Sequence, residues 1–196
     1  MSRLILWMVT LLRVFLIPVF LFFAVSAQEA AVMGEDFGPY RFAALGTLFL
    51  MGASDLVDGW IARRYALMSQ AGAVADAVAD KLIQMALAAF FALSIGPVFT
   101  TLPLWFLIAV FGRDLVLTVG VLMLRARYGA ILVAHKLHGR AASVAVSGVL
   151  AWAALGLSVE GLLPLLVGTT ALTLASATAY PLDGAAQGRE VARLRG

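Results

Sequence analysis

The sequence predicts an all-α integral membrane protein, a bundle of six transmembrane helices with both termini in the cytoplasm. Three observations predict it. Hydrophobic residues make up 63% of the 196-residue chain and charged residues 13%, with a mean hydropathy of +0.99, well above the apolar content of soluble domains. Apolar runs near the roughly 20 residues that cross about 30 Å of hydrocarbon recur along the chain. Finally, the basic residues sort to one side of those runs, as cytoplasmic flanks do.

The first run, 4–26, begins after Arg3 and ends near "AVSAQ", which resembles a signal peptide cleaved after Ala27. It is longer than an ordinary signal core and is interrupted by Arg13 and Pro18, so we expect it to be retained as the first membrane helix. A short acidic connection, 27–38, leads to the second helix, 39–62, which stops at Arg63 and Arg64. The third is expected over 72–95, closed by the Gly96–Pro97 turn signal. The fourth covers 102–124, and a basic connection over 125–139 precedes the fifth, 138–157. Ala, Ser and Gly dominate the fifth helix and permit close backbone approach. The sixth covers 161–181 and is followed by a polar tail.

With six spans, Arg3, Arg63, Arg64, Arg125, Arg127, Lys136, Arg140, Arg189, Arg193 and Arg195 share one side. Glu29, Glu35, Asp36 and Glu160 share the other with Arg41 alone. No internal repeat or long linker divides the chain, so residues 1–196 read as one domain. The absence of cysteine excludes disulfides and thiolate chemistry. The formal charge of +3 suits anionic lipid headgroups, and no polar basic domain exists to bind nucleic acid.

Ser54–Lys81, "SDLVDGWIARRYALMSQAGAVADAVADK", holds Asp55, Asp58, Asp76 and Asp80, four of the chain's eleven acidic residues. Charges at membrane depth cost about 2.5–3.5 kcal/mol each on insertion scales and mark function. Asp55 and Asp58 are three apart near the end of the second helix; Asp76 and Asp80 are four apart near the start of the third. Both spacings put each pair on one helical face. Facing pairs would repel unless divalent cations neutralised them, and an all-oxygen donor set suits Mg²⁺ or Mn²⁺, with room for two ions bridging a diphosphate. Small residues surround the carboxylates, and Arg63 and Arg64 add donors shaped for phosphate.

The spacing Asp55-x2-Asp58-Gly59-x2-Ala62-Arg63-x8-Gly72-x3-Asp76-x3-Asp80 resembles the signature of the CDP-alcohol phosphatidyltransferases. The resemblance implies a six-helix membrane enzyme that transfers a phosphatidyl group from CDP-diacylglycerol to an alcohol and releases CMP. It implies that Asp55, Asp58, Asp76 and Asp80 ligate the divalent ions and that Asp80 is the general base. Asp55, Gly59, Ala62, Arg63 and Gly72 would form the CDP-binding surface. A homodimer is also implied, and a bacterial inner membrane with the site facing the cytoplasm is the expected location.

The signature addresses only the donor. Arg113, midway along the fourth helix, is costly there unless it serves a site, while its neighbour Asp114 points about 100° away around the helix. Lys136 and Arg140, four apart, flank the start of the fifth helix. With Arg113 they suit a phosphorylated acceptor: glycerol 3-phosphate first, phosphatidylglycerol or an inositol phosphate as alternatives. "VTLLRVFLIPVF" (through Thr10, Arg13 and Pro18), "ADKL", "GRD" and "HGRAAS" are similar to segments of the phosphatidylglycerophosphate synthase and cardiolipin synthase branches, whereas Trp7, Ala77 and Val146 depart from them. An ion-coupled transporter is the alternative of another class; it predicts charges spread across the membrane rather than gathered in one half.

Overall fold

A computed structural model of the chain describes residues 2–64, 70–128 and 137–174. Every regular element among them is a helix: α1 (Ser2–Met33), α2 (Gly38–Arg64), α3 (Gln70–Leu93), α4 (Leu104–Tyr128), α5 (Leu137–Ala154) and α6 (Val159–Leu174). The order matches the six expected helices, with shifted limits. α1 runs to Met33 rather than ending near 26, because "SAQEAAVM" holds no helix breaker until Gly34. Pro18 lies inside α1 without ending it, as apolar helices tolerate when neighbours compensate the lost hydrogen bond.

The α1 terminus is built from local chemistry. Gly34 takes a left-handed φ of 75°; its N–H donates to Ala31 O at 3.3 Å, and Glu35 N–H donates to Ala30 O at 2.8 Å, the paired bonds of a Schellman cap. Asp36 Oδ1 then accepts from Gly38 N–H at 2.9 Å and opens α2 as an N-cap.

Two compact units are distinguishable, one comprising residues 1–101 with Trp152–Leu157, the other Leu102–Ala151 with 158–196. In the first, α1 packs against both α2 and α3. Its buried stripe carries Arg13, Phe20, Ala24 and Ala27, while α2 buries Ala44, Thr47 and Met51. The small side chains let helix backbones approach closely, which is how apolar helices gain packing energy without a hydrophobic drive. Phe20, Phe90, Phe91 and Phe99 fill the space beyond them edge to face, with centroids 5.7–6.2 Å apart for Phe20 on Phe90 and on Phe91, and 5.9 Å for Phe99 on each of those two.

At this same end, hydrogen bonds to the backbone tie the segments. Val98 N–H donates to the buried Gln28 Oε1 at 3.1 Å. Thr100 donates from its N–H to Ala153 O and from its hydroxyl to Leu157 O, and Arg41 Nη2 donates to Leu155 O at 2.8 Å. Gly156, at φ 64°, closes α5 with bonds from its own N–H to Ala153 O and from Leu157 N–H to Trp152 O.

In the second unit, α4 buries Phe106, Val110 and Arg113 on one stripe, and α6 buries Leu162, Leu166, Thr169 and Thr173 on another. In each unit the outward faces are exposed yet apolar, with Phe15, Phe22, Phe42 and Phe49 in the first and Ile108, Leu115, Val144 and Val167 in the second. Among the described residues, one helical stretch, Thr10–Met33, is long and apolar enough to cross a membrane by length and composition. Two shorter apolar helical stretches, Ala141–Ala154 and Val159–Leu174, accompany it.

Gly156→Ala should lower stability by about 1–3 kcal/mol, the cost of a strained backbone position, because a Cβ there also meets Val98 O at 2.7 Å. Gly148→Ala, in α5 with nothing within 4 Å of the new Cβ, should be neutral or stabilising by up to about 1 kcal/mol. Thermal unfolding of the two variants in the same detergent checks the contrast.

Candidate active site

Asp76 and Asp80 stand on successive turns of α3 and project from one face, as their spacing demands. Arg13 of α1 meets both. Its Nη2 donates to Asp76 Oδ1 at 2.5 Å and its Nη1 to Asp80 Oδ1 at 3.0 Å. The guanidinium side chain is 1% exposed, whereas the aspartates are 44% and 49% exposed. One end of the ion triad is thus sealed inside the helix packing and the other opens outward.

The local sequence explains the asymmetry. Ala79, between the two aspartates in sequence, is buried, while Val74, Ala77 and Val78 are exposed, so the carboxylates lie at the border between the packed and open faces of α3. Lys81 is drawn along its own helix, with Nζ 3.3 Å from Gln84 Oε1. Gly72 opens the same helix two turns before Asp80 and is partly exposed.

Asp55, Asp58, Gly59, Ala62 and Arg63 all fall on the last three turns of α2; their side chains lie outside the described residues. Among the described residues, Asp76 and Asp80 are a pair rather than a cluster of three or more ligand-type side chains. Arg113, in the second unit, is buried at 5% exposure. Its Nη1 reaches Asp114 Oδ1 at 3.4 Å, so the neighbour ion pair that helix geometry left open does form. Lys136 lies outside the described residues, and Arg140 sits in the first turn of α5 with its side chain likewise undescribed.

The residue that sequence reasoning gave no role at the site is Arg13. A signal was available: Arg13, Phe20, Ala24 and Ala27 recur at seven, four and three residues, the spacing of one helix stripe. An arginine in line with these buried positions faces inward, where it needs hydrogen-bond acceptors.

Chemically, two carboxylates on one half-open face can hold a hard cation or accept a proton from a hydroxyl. A family profile described as CDP-alcohol phosphatidyltransferase matches residues 6–179. The CDP-diacylglycerol–glycerol-3-phosphate 3-phosphatidyltransferase of Bacillus subtilis is 30% identical over 148 residues, covering 72% of this chain and 74% of the relative. A Schizosaccharomyces pombe protein, cardiolipin synthase (CMP-forming) / mitochondrial hydrolase fusion protein, is 38% identical over 86 residues, 44% of this chain but 14% of the relative. No solved structure matches significantly. Since the matched region takes in α1 with Arg13 and both aspartate pairs, and the Bacillus relative aligns over most of both chains, the protein belongs to the CDP-alcohol phosphatidyltransferase family.

Proposed function

We propose that this phosphatidyltransferase uses glycerol 3-phosphate as its acceptor and forms phosphatidylglycerophosphate with release of CMP. The observation that carries the reaction is the outward-facing pair Asp76 and Asp80 on α3, at the separations of the family signature. The acceptor rests on the name of the Bacillus relative. Phosphatidylglycerol is the second reading, favoured by the shorter match to a protein named for cardiolipin synthesis.

The carboxylates present fit a divalent cation. They are hard oxygen donors, half exposed, and Arg13 reaches Oδ1 of each. Asp55, Asp58, Asp76 and Asp80 would hold one or two Mg²⁺ or Mn²⁺ ions. When bound, such ions neutralise the donor diphosphate and stabilise the departing CMP. The chain's own groups do the rest. Gly59, Ala62 and Gly72 leave room for the nucleotide, and Arg63 offers a phosphate-binding fork. Asp80 takes the proton of the acceptor hydroxyl as its oxygen bonds to the phosphatidyl phosphorus; the bond from that phosphorus to the CMP oxygen breaks with its electron pair. Arg113, Lys136 and Arg140 bind the acceptor phosphate.

In this reading residues 1–196 form one membrane domain of six spans with both termini in the cytoplasm. The apolar outward faces of the helices and the sorting of basic residues support it. The site then opens to the cytoplasm at the inner membrane of a bacterium, and the enzyme works as a homodimer.

Purified protein supplied with CDP-diacylglycerol, Mn²⁺ and single acceptors should release CMP most rapidly with glycerol 3-phosphate. Release with phosphatidylglycerol alone would transfer the assignment to the second reading, and no release with any acceptor would refute both. Asp80→Asn should lower turnover by at least about 10²–10⁴-fold, the usual worth of a general base, in a protein that still folds because Asp76 keeps its ion pair with Arg13. Arg113→Ala should raise the KM for glycerol 3-phosphate roughly tenfold or more, as expected on losing a hydrogen bond to a charged group, with the KM for CDP-diacylglycerol nearly constant. A defect confined to the donor would remove Arg113 from the acceptor site.

A further inference from the structure

The fork of Arg13 spans two carboxylates that stand one helical turn apart. We infer that Arg13 is a positioning residue: it fixes the Asp76 and Asp80 side chains from behind and thereby sets the affinity of the site for a divalent cation. This rests on the reading of those aspartates as cation ligands.

Three features carry it. First, Arg13 is anchored, since its position on the buried stripe of α1 with Phe20, Ala24 and Ala27 leaves it 1% exposed. Second, the two bonds come from different nitrogens, Nη2 to Asp76 and Nη1 to Asp80. Asp76 and Asp80 are about 6 Å apart along the helix axis at 1.5 Å per residue, so a planar guanidinium serves both where a compact ammonium does not. Third, contact is made through Oδ1 of each carboxylate while nearly half of each side chain remains exposed. The carboxylates are held on their buried side and offered on their open side, the arrangement by which outer groups orient metal ligands.

The idea predicts a sign. Arg13 adds a positive charge beside a cation site, so on Coulomb's law alone its removal would strengthen cation binding. If Arg13 acts by positioning, its removal weakens binding, because the two aspartates lose the shared geometry that binding requires.

The test uses the full chain in lipid nanodiscs, with Mn²⁺ alone as the probe and free Mn²⁺ followed by electron paramagnetic resonance, without either substrate. Arg13→Gln should weaken Mn²⁺ binding about 10–100-fold, the range for loss of a group that orients metal ligands. Arg13→Lys, which keeps the buried charge but loses the fork, should fall between Arg13→Gln and the parent. Equal or tighter binding in a folded Arg13→Gln protein would overturn the inference. Should that variant fail to fold, Arg13→Lys decides: weakened binding supports positioning, and parental affinity overturns it. Asp80→Asn separates this inference from the reading beneath it. If Asp80→Asn weakens Mn²⁺ binding and the Arg13 variants do not, only the role of Arg13 fails; if neither the parent nor any variant binds Mn²⁺, the ligand assignment fails and the role of Arg13 with it.

Discussion

Burying a guanidinium without partners costs several kcal/mol even after relaxation, and that constraint organises the unit built on α1. Arg13 lies inside the packing, so α3 must bring Asp76 and Asp80 to it. The resulting ion triad joins residues more than sixty positions apart. Because α1 also packs on α2, one helix carries both apolar contacts and the bonds from Arg13 to the two carboxylates. The pairing gains strength from its geometry: each aspartate meets a separate nitrogen, so neither competes for a single donor.

The opposite end of this unit is held by different means. About 22 Å further along α1, at 1.5 Å per residue, Gln28 receives a backbone N–H from the α3–α4 connection. Thr100 and Arg41 bond the carbonyls that end α5. These are neutral or singly charged bonds to backbone, which fix segments without placing a second charged cluster in the interior. Charge is concentrated where chemistry is expected, and the remote end is tied by hydrogen bonds and an edge-to-face cluster of phenylalanines.

Function and hydropathy compete within the same helices. Thr10–Met33 reads as a membrane span by composition, carrying Arg13 as an internal cation. The helices that hold Asp55, Asp58, Asp76, Asp80 and Arg113 are less uniform, since those ionisable groups interrupt their apolar runs. Ionisable groups are costly inside an apolar span and mark function where they occur. The family signature lies on α2 and α3 of the first unit, while Arg113 belongs to α4 of the second.

The sequence by itself determined the order of the described helices, the family, and the two aspartate pairs, because each rests on spacing along the chain: apolar runs near span length, turn residues, and separations of three and four that place carboxylates on one face. It also contained the stripe from Arg13 to Ala27, although that pattern says only that the arginine faces inward. The course of α1 to Met33 depended on where a left-handed glycine and an Asx cap could close the helix, which periodicity of hydrophobic residues does not register. Which side chains satisfy Arg13, and that Arg113 reaches its own neighbour Asp114, were decided only by the tertiary structure. Helix periodicity defines faces, but packing alone selects which face meets which, and a charge pair of length-scale about 3 Å exists only once that choice has been made.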